Sequence, residues 1–198
     1  MFALIENQQI TKHLSGNKGI TLGDIQYPRS IFTLWSEAER NAIGIFEVTV
    51  DTTNKKDEQW YINTNVSYGV ESNKAVGSYG TATAKAHADA NGTDADGVEL
   101  DPVVVIPGLK TNLIKDLKIN VANELARTDW YITRNTEKST AIPSAISTHR
   151  DAVRTKQASM ETAITNASDT PALETLYTYT TTDGVQSRPL GELPTLES

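Results

Sequence analysis

The residue types that most often carry out catalysis or bind metals are sparse in this sequence. Its three histidines, His13, His87 and His149, fall in separate predicted elements, and none has the HxH or HExxH spacing that directs two rings at one metal ion. His149 is followed by Arg150 and Asp151, but consecutive side chains of a helix point in different directions, so this run is not a catalytic triad. We interpret the histidines as three unrelated surface or interface residues.

An acidic, glycine-rich stretch at residues 89–101, DANGTDADGVELD, has the composition of a calcium-binding loop. The EF-hand pattern needs acidic residues at positions 1, 3 and 5, a glycine at position 6 and a glutamate at position 12. Counted from Asp89, position 5 is Thr93 and position 6 is Asp94, so the pattern is not met. We expect a solvated acidic segment here, and calcium binding stays an open alternative.

Other short motifs lack the surroundings that their chemistry needs. GNKG (16–19) has the GxxG pattern of an RNA-binding loop without basic neighbours, and GSYG (77–80) lacks the GxSxG register of a nucleophile elbow. Carboxylate pairs such as Glu37 and Glu39 have no apolar setting that would suit acid catalysis. The sequence therefore predicts no enzymatic activity, no cofactor and no metal site.

Composition narrows the class of protein further. The chain of 198 residues is 38% hydrophobic and 22% charged, has a net charge of −7 and contains no cysteine. An acidic balance disfavours nucleic-acid binding, which needs clustered Lys and Arg, and the absence of cysteine excludes disulfides and thiolate metal sites. The beginning of the sequence lacks the pattern of a signal peptide, and no window approaches the roughly 18 apolar residues of a membrane span. We expect a soluble protein with a thin core, supported by a partner or by further copies of itself.

Residues 1–85 are predicted to form a β-rich α+β domain. FALIE and QITKHL alternate apolar and polar residues on either side of Asn7 and Gln8, which predicts a hairpin, and VSYGV with AVGSYGTAT predicts a second one. Ser36 and Glu39 have the spacing of a capping box at the start of a short helix, which should end at Gly44. The strand-like run IFEVTV follows directly.

The second half of the sequence changes to a helical period. Residues 86–108 are small, acidic and glycine-rich and predict a linker or a mobile surface loop. Residues 109–178 predict a helical hairpin domain, in which Pro143 begins the second helix and Pro171 begins a third, short one. An extended tail is predicted for residues 179–198. The apolar residues that mark the buried faces of the two main helices are Leu113, Leu117, Val121 and Leu125 on the first and Ile146, Val153, Met160 and Ile164 on the second.

These elements together predict an α+β fold. Its N-terminal unit is β-rich, with hairpins and one short helix, and it is followed by a C-terminal α-helical hairpin and an extended tail. This order of strands first and helices afterwards is typical of α+β proteins, in which the two kinds of element are segregated along the chain.

Two adjacent Trp–Tyr pairs are the most informative aromatic residues. Trp60 precedes Tyr61, Trp130 precedes Tyr131, and each pair follows a polar run that contains acids. An exposed pair would be a stacking platform for a sugar or another ligand, whereas a buried pair would be a wedge that closes a helix turn. Trp130 and Tyr131 lie between the first apolar stripe and the helix at Pro143. We therefore interpret them as a buried wedge at the corner of the helical hairpin.

Two arginines on the second helix are candidates for fixing this corner. Arg150 and Arg154 are one helical turn apart, so they share a face. Either could pair with Asp129 or Glu124 across the hairpin. The alternative, that both are surface charges of little energetic value, stays open.

One stretch resembles a known group of proteins. It has the sequence ELARTDWYITRNTEK followed by AIPSAISTHRDAVR, and it is similar to a region of small tail-associated proteins of tailed bacteriophages, including tail-fibre-assembly and tail-assembly-chaperone-like proteins. The positions that carry the resemblance are Leu125, Thr128, Asp129, Trp130, Ile142, Pro143, His149, Arg150, Val153 and Arg154. The run SGNKGITLGDIQYPRSIFTLWSEAERNAIGIFEV, with Tyr27, Pro28, Trp35 and Ser36, also resembles the opening of marine phage proteins of this kind. The resemblance implies no catalytic residues and a protein that binds other tail proteins or copies of itself.

The sequence thus predicts a non-enzymatic structural protein of the phage tail region, such as a component of the tail fibre, tail tip or adaptor. We expect it to be made in the host cytoplasm, to reside in the virion as a homo-oligomer among other virion proteins, and to have no nucleic-acid or membrane partner. The first alternative is an assembly chaperone that is absent from the mature particle. The second is a carbohydrate-binding module for a host surface glycan, with Trp60 and Tyr61, or Tyr68 and Tyr79, as its platform. The predicted interaction or structural residues are Trp130, Tyr131, Asp129, Arg150, Arg154, Trp35, Trp60 and Tyr61.

Overall fold

The chain divides into two compact units, residues 1–83 and residues 84–198. This computed structural model describes residues 1–196. The first unit is built mostly of strands and the second mostly of helices. The predicted α+β class, with strands first and helices afterwards, is therefore confirmed.

The first unit is organised around one mixed sheet. Its strands follow the order β2-β1-β5-β8-β7, and the neighbours are antiparallel except for the parallel pair β5 and β8. Strands β3 and β4 form a separate antiparallel pair. The elements are β1 (Phe2–Glu6), β2 (Gln9–Leu14), β3 (Ile20–Leu22), β4 (Ile25–Tyr27), α1 (Ile31–Leu34), α2 (Glu37–Ala42), β5 (Ile45–Asp51), β6 (Tyr61–Ile62), β7 (Val66–Glu71), β8 (Lys74–Tyr79) and, at the boundary of the unit, β9 (Thr83–Ala84).

Both predicted hairpins of this unit are confirmed. Asn7 and Gln8 connect β1 to β2 with φ values of 51° and 63°, and Ser72 and Asn73 connect β7 to β8 with φ values of 49° and 60°. Two consecutive residues with positive φ are the mark of the type I′ turn, whose twist matches that of the flanking strands. The turn residues therefore set the register of each hairpin.

The sheet curls until its two edge strands approach each other. Gln8 Nε2 donates to Asn73 Oδ1 at 2.8 Å, which joins the two hairpin turns. The ring of His13 on β2 lies 4.7 Å from the ring of Tyr68 on β7, edge to face. His13 and Tyr68 thus take part in closing the sheet.

The core of the first unit is small and lies against β1, β2 and β5. Its buried members are Leu4, Leu14, Ile31, Phe32 and Ile45. Trp35 is half-buried against this cluster, with its ring perpendicular to that of Tyr27 at a centroid distance of 5.8 Å. Trp35 is therefore a packing residue of the first unit.

The capping box that the sequence predicts for α2 is confirmed. Ser36 Oγ accepts from the backbone N–H of Glu39 at 3.3 Å, and Glu39 Oε2 accepts from the backbone N–H of Ser36 at 2.8 Å. The hydrogen bonds from Ser36 hold the pKa of Glu39 below its ordinary value. Gly44 follows the helix with φ of 80°, a left-handed conformation that glycine adopts without strain.

The second unit is built on an antiparallel pair of helices, α3 and α5. Lys110 Nζ donates to the carbonyl of Thr165 at 2.8 Å near one end, and Arg150 Nη1 donates to the carbonyl of Leu125 at 2.8 Å near the other. The predicted helical hairpin is confirmed, but its connection is itself a helix, α4. The elements are β10 (Ala90–Asn91), β11 (Val105–Ile106), α3 (Leu109–Ala126), α4 (Asp129–Lys138), α5 (Ser144–Asn166), α6 (Thr170–Tyr177), β12 (Thr180–Thr182) and β13 (Val185–Ser187).

The apolar stripes predicted for the two long helices form their buried faces. Leu117 and Val121 of α3 are buried, and Leu113 and Leu125 at the ends of the stripe are half-buried. On α5 the buried apolar residues are Ile146, Val153, Met160 and Ile164. Each buried apolar side chain of this size contributes roughly 1.5–3 kcal/mol, so this seam is the main apolar contribution to the hairpin.

Residues 86–108, which the sequence predicts as a linker or mobile surface loop, form a cap on the start of α3. Strands β10 and β11 pair within this segment, and the backbone N–H groups of Leu109 and Lys110 donate to the carbonyls of Ala86 and His87 at 2.9 and 3.0 Å. The first N–H groups of a helix have no partner within the helix. The segment therefore satisfies donors that α3 would otherwise leave open.

Asp89 completes this cap with its side chain. Oδ1 accepts from the backbone N–H of Gly108 at 2.7 Å, and Oδ2 accepts from the hydroxyl of Thr111 at 2.9 Å. Those two bonds, the one from Thr111 first, hold the pKa of the Asp89 carboxyl below its ordinary value. One acid of the acidic stretch 89–101 thus serves as a helix cap.

The C-terminal segment is a hairpin followed by a turn. Strands β12 and β13 are joined by Asp183 and Gly184, with φ values of 52° and 79°, which is the Asp-Gly signature of a type I′ turn. Leu190 is buried, and its backbone N–H donates to the carbonyl of Leu176 on α6 at 3.0 Å. Residues 179–196 of the predicted extended tail thus contain a hairpin and a turn that is tied back to the last helix, and residues 197–198 of that prediction lie outside the described residues.

Replacing Gly108 with alanine should destabilise the second unit by roughly 1–3 kcal/mol. An added Cβ would lie 2.3 Å from the carbonyl oxygen of Ala88, and the cap holds this backbone atom in place. The measurement is urea unfolding followed by the helical circular-dichroism signal. Gly69→Ala is the matched control, because an added Cβ there meets no atom within 4 Å. Equal stability of the two variants would contradict the close packing of the cap.

The contribution of Asp89 to stability should depend on pH. Its pKa is lower in the folded chain than in the unfolded chain, so its contribution is fully present above about pH 4 and is lost as pH falls through the folded value. We expect the difference in unfolding free energy between the wild type and Asp89→Ala to shrink on acidification. Asp96→Ala serves as control, because the side chain of Asp96 makes no hydrogen bond to the rest of residues 1–196. A difference that stays constant with pH would contradict this role.

Candidate functional site

The guanidinium of Arg150 joins the end of α3 to the start of α4. Its side chain is only 9% exposed, and Nη1 lies 2.8 Å from the carbonyl of Leu125, 2.7 Å from the hydroxyl of Thr128 and 2.8 Å from Oδ1 of Asp129. The last carbonyls of a helix lack partners within it and carry the negative end of its dipole, so a cation is favourable there. Of the pairings left open for Arg150 and Arg154 with Asp129 or Glu124, the one between Arg150 and Asp129 is present. We call Arg150 and these three acceptors the Arg150 clamp.

A second polar contact lies beside the Arg150 clamp. His149 Nε2 lies 3.1 Å from Oε1 of Glu124, and Arg127 Nη1 lies 3.0 Å from Oε2 of the same carboxylate. Burial raises the pKa of Glu124, but the hydrogen bonds and charges of Arg127 and His149 outweigh it and hold that pKa below its ordinary value. The interpretation of His149 as an unrelated surface or interface histidine is wrong, because its side chain is buried against α3.

The sequence contains a signal that would have placed His149 correctly. Ile146, His149, Arg150 and Val153 have the spacing i, i+3, i+4 and i+7, which is the pattern of one helix face. All four are buried. Polar residues at two of these positions conceal the pattern from a search for apolar periodicity alone.

Arg154 does not take part in this cluster. It pairs with Asp151 on its own helix at 3.4 Å, and both side chains are exposed. An exposed pair of this kind contributes little to stability because water screens it. The open alternative of a weak surface charge therefore holds for Arg154, whereas it does not hold for Arg150.

Trp130 is exposed on the outer side of α4. The side chain is 51% exposed, its ring stacks on that of Tyr131 at a centroid distance of 3.8 Å, and Arg134 Cζ lies 5.6 Å from the ring centroid. The interpretation as a buried wedge is wrong. The chain enters α4 at Asp129, so Trp130 lies in its first turn, and the half-buried residues of this helix are Tyr131 and Asn135, on a different face.

The predicted sugar platform at Trp60 is not formed. Trp60 is only 3% exposed, so its ring faces are not available for stacking. Tyr61 and Tyr79 are half-buried, with Lys56 and Lys55 above their rings at 5.9 and 5.8 Å. A burial this deep was not visible in the sequence, because Trp60 lies in a polar run with no apolar periodicity.

The described residues present an exposed aromatic side chain, Trp130, beside the buried Arg150 clamp. Within residues 1–196 no three His, Asp or Glu side chains are grouped so that they could hold a metal ion. No helix in the same range is long and apolar enough to cross a membrane. Comparison with protein-family models, with curated proteins and with solved structures found no match. The candidate site is therefore defined by geometry alone: the Arg150 clamp and the exposed Trp130 beside it.

Arg150→Ala should lower the unfolding free energy by roughly 2–4 kcal/mol, because it removes a buried side chain that donates to the carbonyl of Leu125, the hydroxyl of Thr128 and the carboxylate of Asp129. Arg154→Ala, one turn along the same helix and exposed, should cost less than about 0.5 kcal/mol. Urea unfolding monitored by circular dichroism measures both values. If the two variants are equally stable, the clamp does not hold the helices together.

Proposed function

We propose that this chain is a non-enzymatic structural protein of the tail region of a tailed bacteriophage, where it acts by binding other virion proteins. The observation that carries the proposal is the half-exposed Trp130, displayed on a helix whose start is fixed by the Arg150 clamp. The resemblance of residues 125–154 to tail-associated proteins supports the setting. Exposed aromatic surface on a fixed support is typical of a protein that binds another protein.

The resemblance and the clamp involve the same residues. The acceptors of Arg150 belong to Leu125, Thr128 and Asp129, and all of them are positions of the resembling motif. The motif therefore corresponds to a structural arrangement that sets the direction of α4. Trp130, the next residue of the motif, is the side chain that this arrangement presents.

Trp130 has the properties of an anchor for binding. A tryptophan buries a large area on contact and loses little conformational freedom, since only two side-chain torsions are fixed. Arg134 and Tyr131 already flank its ring in the free chain, so part of the conformational entropy that binding would remove is lost before a partner arrives. Trp and Arg are among the residues most often found at the energetic centre of interfaces.

The two alternatives differ in how well the site supports them. A tail or tail-fibre assembly chaperone would use the same exposed residue, and only its presence in or absence from finished particles separates it from a structural component. A glycan-binding module gains no support at Trp60, which is buried. Tyr68 is 41% exposed, but its ring packs on His13.

Trp130→Ala should reduce incorporation of the chain into particles by about tenfold or more, because the loss of an interface anchor costs at least about 2 kcal/mol of binding. Stability should change by less than about 1 kcal/mol, because half of the side chain is already in water. Quantitative mass spectrometry is performed on particles assembled in cells that supply either the wild type or the variant as the only copy. Leu34→Ala, at a position that is 80% exposed in the first unit, should be incorporated normally.

The same measurement separates the alternatives. Wild-type chain found in unfinished tails or fibres and absent from finished particles would identify an assembly chaperone. Its absence from both would overturn the proposal. Normal incorporation of Trp130→Ala would show that the interface lies elsewhere on the surface.

A further inference from the structure

A shallow apolar groove runs along α3 on a face that the rest of the described second unit leaves open. Its volume is about 530 Å³, and its lining consists of Thr111, Ile114, Lys115, Lys118, Ile119 and Ala122. The centre of this set is roughly a third of a turn round the helix from the buried Leu117 and Val121, and Ile119 is about half a turn away, so the groove lies outside the core seam. Ile119 is 49% exposed. The groove thus combines an apolar floor with two lysines.

The same unit exposes an apolar segment of opposite charge at residues 98–106, VELDPVVVI. Its five aliphatic β-branched residues are between 50% and 61% exposed: Val98, Val103, Val104, Val105 and Ile106. The charged residues of the segment are Glu99 and Asp101, and the sequence has no Lys or Arg between Lys85 and Lys110. Exposed apolar residues are normally scattered, and a contiguous run rimmed by polar residues indicates an interaction surface.

We propose that these two surfaces bind each other between copies of the chain: the acidic apolar segment 98–106 of one copy occupies the lysine-bordered groove of α3 in a second copy. Both surfaces are exposed in the same molecule, so neither covers the other within one chain. The cap formed by Asp89 and Gly108 holds the segment where it joins α3. The carboxylates of Glu99 and Asp101 are complementary in charge to Lys115 and Lys118 of the groove, and this complementarity indicates a second copy as the occupant.

The local structure of the segment favours side-chain insertion over addition of a strand. Strand β11 pairs with β10 and with no other strand among residues 1–196, and a two-stranded sheet of this size is not stable unless one of its faces is covered. Pro102 and Pro107 bracket the apolar run. Because proline has no N–H to donate, a neighbouring strand would find few partners along this edge. Burying the valine side chains in a groove covers the sheet without that difficulty.

The contact joins two different surfaces, so it is heterologous. A dimer still has one free groove and one free segment. Further copies can therefore add until the assembly closes into a ring or extends as an open filament. A nine-residue segment on one helix face is smaller than a standard interface, so we expect an affinity in the micromolar range. The inference identifies a second copy of the chain as one partner in the structural role proposed above. It depends on that proposed role only for the assumption that the contact is used in a phage tail. Self-association of the purified chain is measured independently of incorporation into particles.

The test is sedimentation velocity of the purified full-length chain from about 5 to about 500 µM. The wild type should form species larger than a monomer with increasing concentration, and added salt should weaken the association because it screens the lysine and carboxylate charges. Ile119→Asp in the groove and Val104→Asp in the segment should each weaken it at least about tenfold. Leu34→Asp, equally polar but in the first unit, should behave as wild type. Circular dichroism verifies that each variant keeps its helices.

Mixing the two defective variants tests the heterologous arrangement directly. Ile119→Asp retains an intact segment and Val104→Asp retains an intact groove, so an equimolar mixture should form dimers and no larger species. A monomeric wild type over the whole concentration range would overturn the inference. So would two defective variants that fail to associate when mixed, because that result indicates contact between like surfaces.

Discussion

A guanidinium that is withdrawn from water must be met by acceptors, and in the second unit this requirement fixes where α3, α4 and α5 meet. An unpaired buried charge would cost several kcal/mol, whereas Arg150 is met by a backbone carbonyl, a hydroxyl and a carboxylate. Its acceptors belong to the end of α3 and the start of α4. The hydrogen bonds of this one side chain of α5 therefore fix the position of all three helices relative to one another. The contact of His149 with Glu124 beside it strengthens the same junction.

The opposite end of the helical pair is held by the same kind of device. Asp89 caps the start of α3, Lys110 reaches the carbonyl of Thr165 near the end of α5, and the hydroxyl of Thr170 donates to the carbonyl of Lys85 at 2.6 Å. Polar contacts therefore close both ends of a seam whose middle is apolar. This division explains how a chain with 38% hydrophobic residues forms a helical hairpin with few large side chains at its centre. Backbone groups at both ends of the pair find polar partners, so less of the stability has to come from apolar burial.

The features that the sequence predicted correctly are those that depend on residues close together in the sequence. The hairpin turns, the capping box at Ser36 and the apolar stripes of α3 and α5 are each encoded within a few residues, and all are confirmed. The cap by Asp89 joins positions 19 residues apart, and the burial of Trp60 depends on tertiary packing, so no local pattern indicates either. The start of α4 was missed because DWYIT is rich in aromatic and β-branched residues, whose helix propensity is low. At the candidate site, charge and spacing left both Asp129 and Glu124 open as partners of Arg150, and the exposure of Trp130 depends on how α4 is rotated about its axis.

The exposure of Trp130 changes what the motif around it means. A buried tryptophan would be explained by stability alone, since its removal would leave a cavity. An exposed ring beside the Arg150 clamp contributes little to folding, because the clamp is complete without it. A single exposed aromatic side chain is common on protein surfaces, and what distinguishes Trp130 is that the clamp fixes the start of the helix that carries it. In the function proposed above, Trp130 binds a partner, and the clamp is the support that would keep this side chain oriented before that partner arrives.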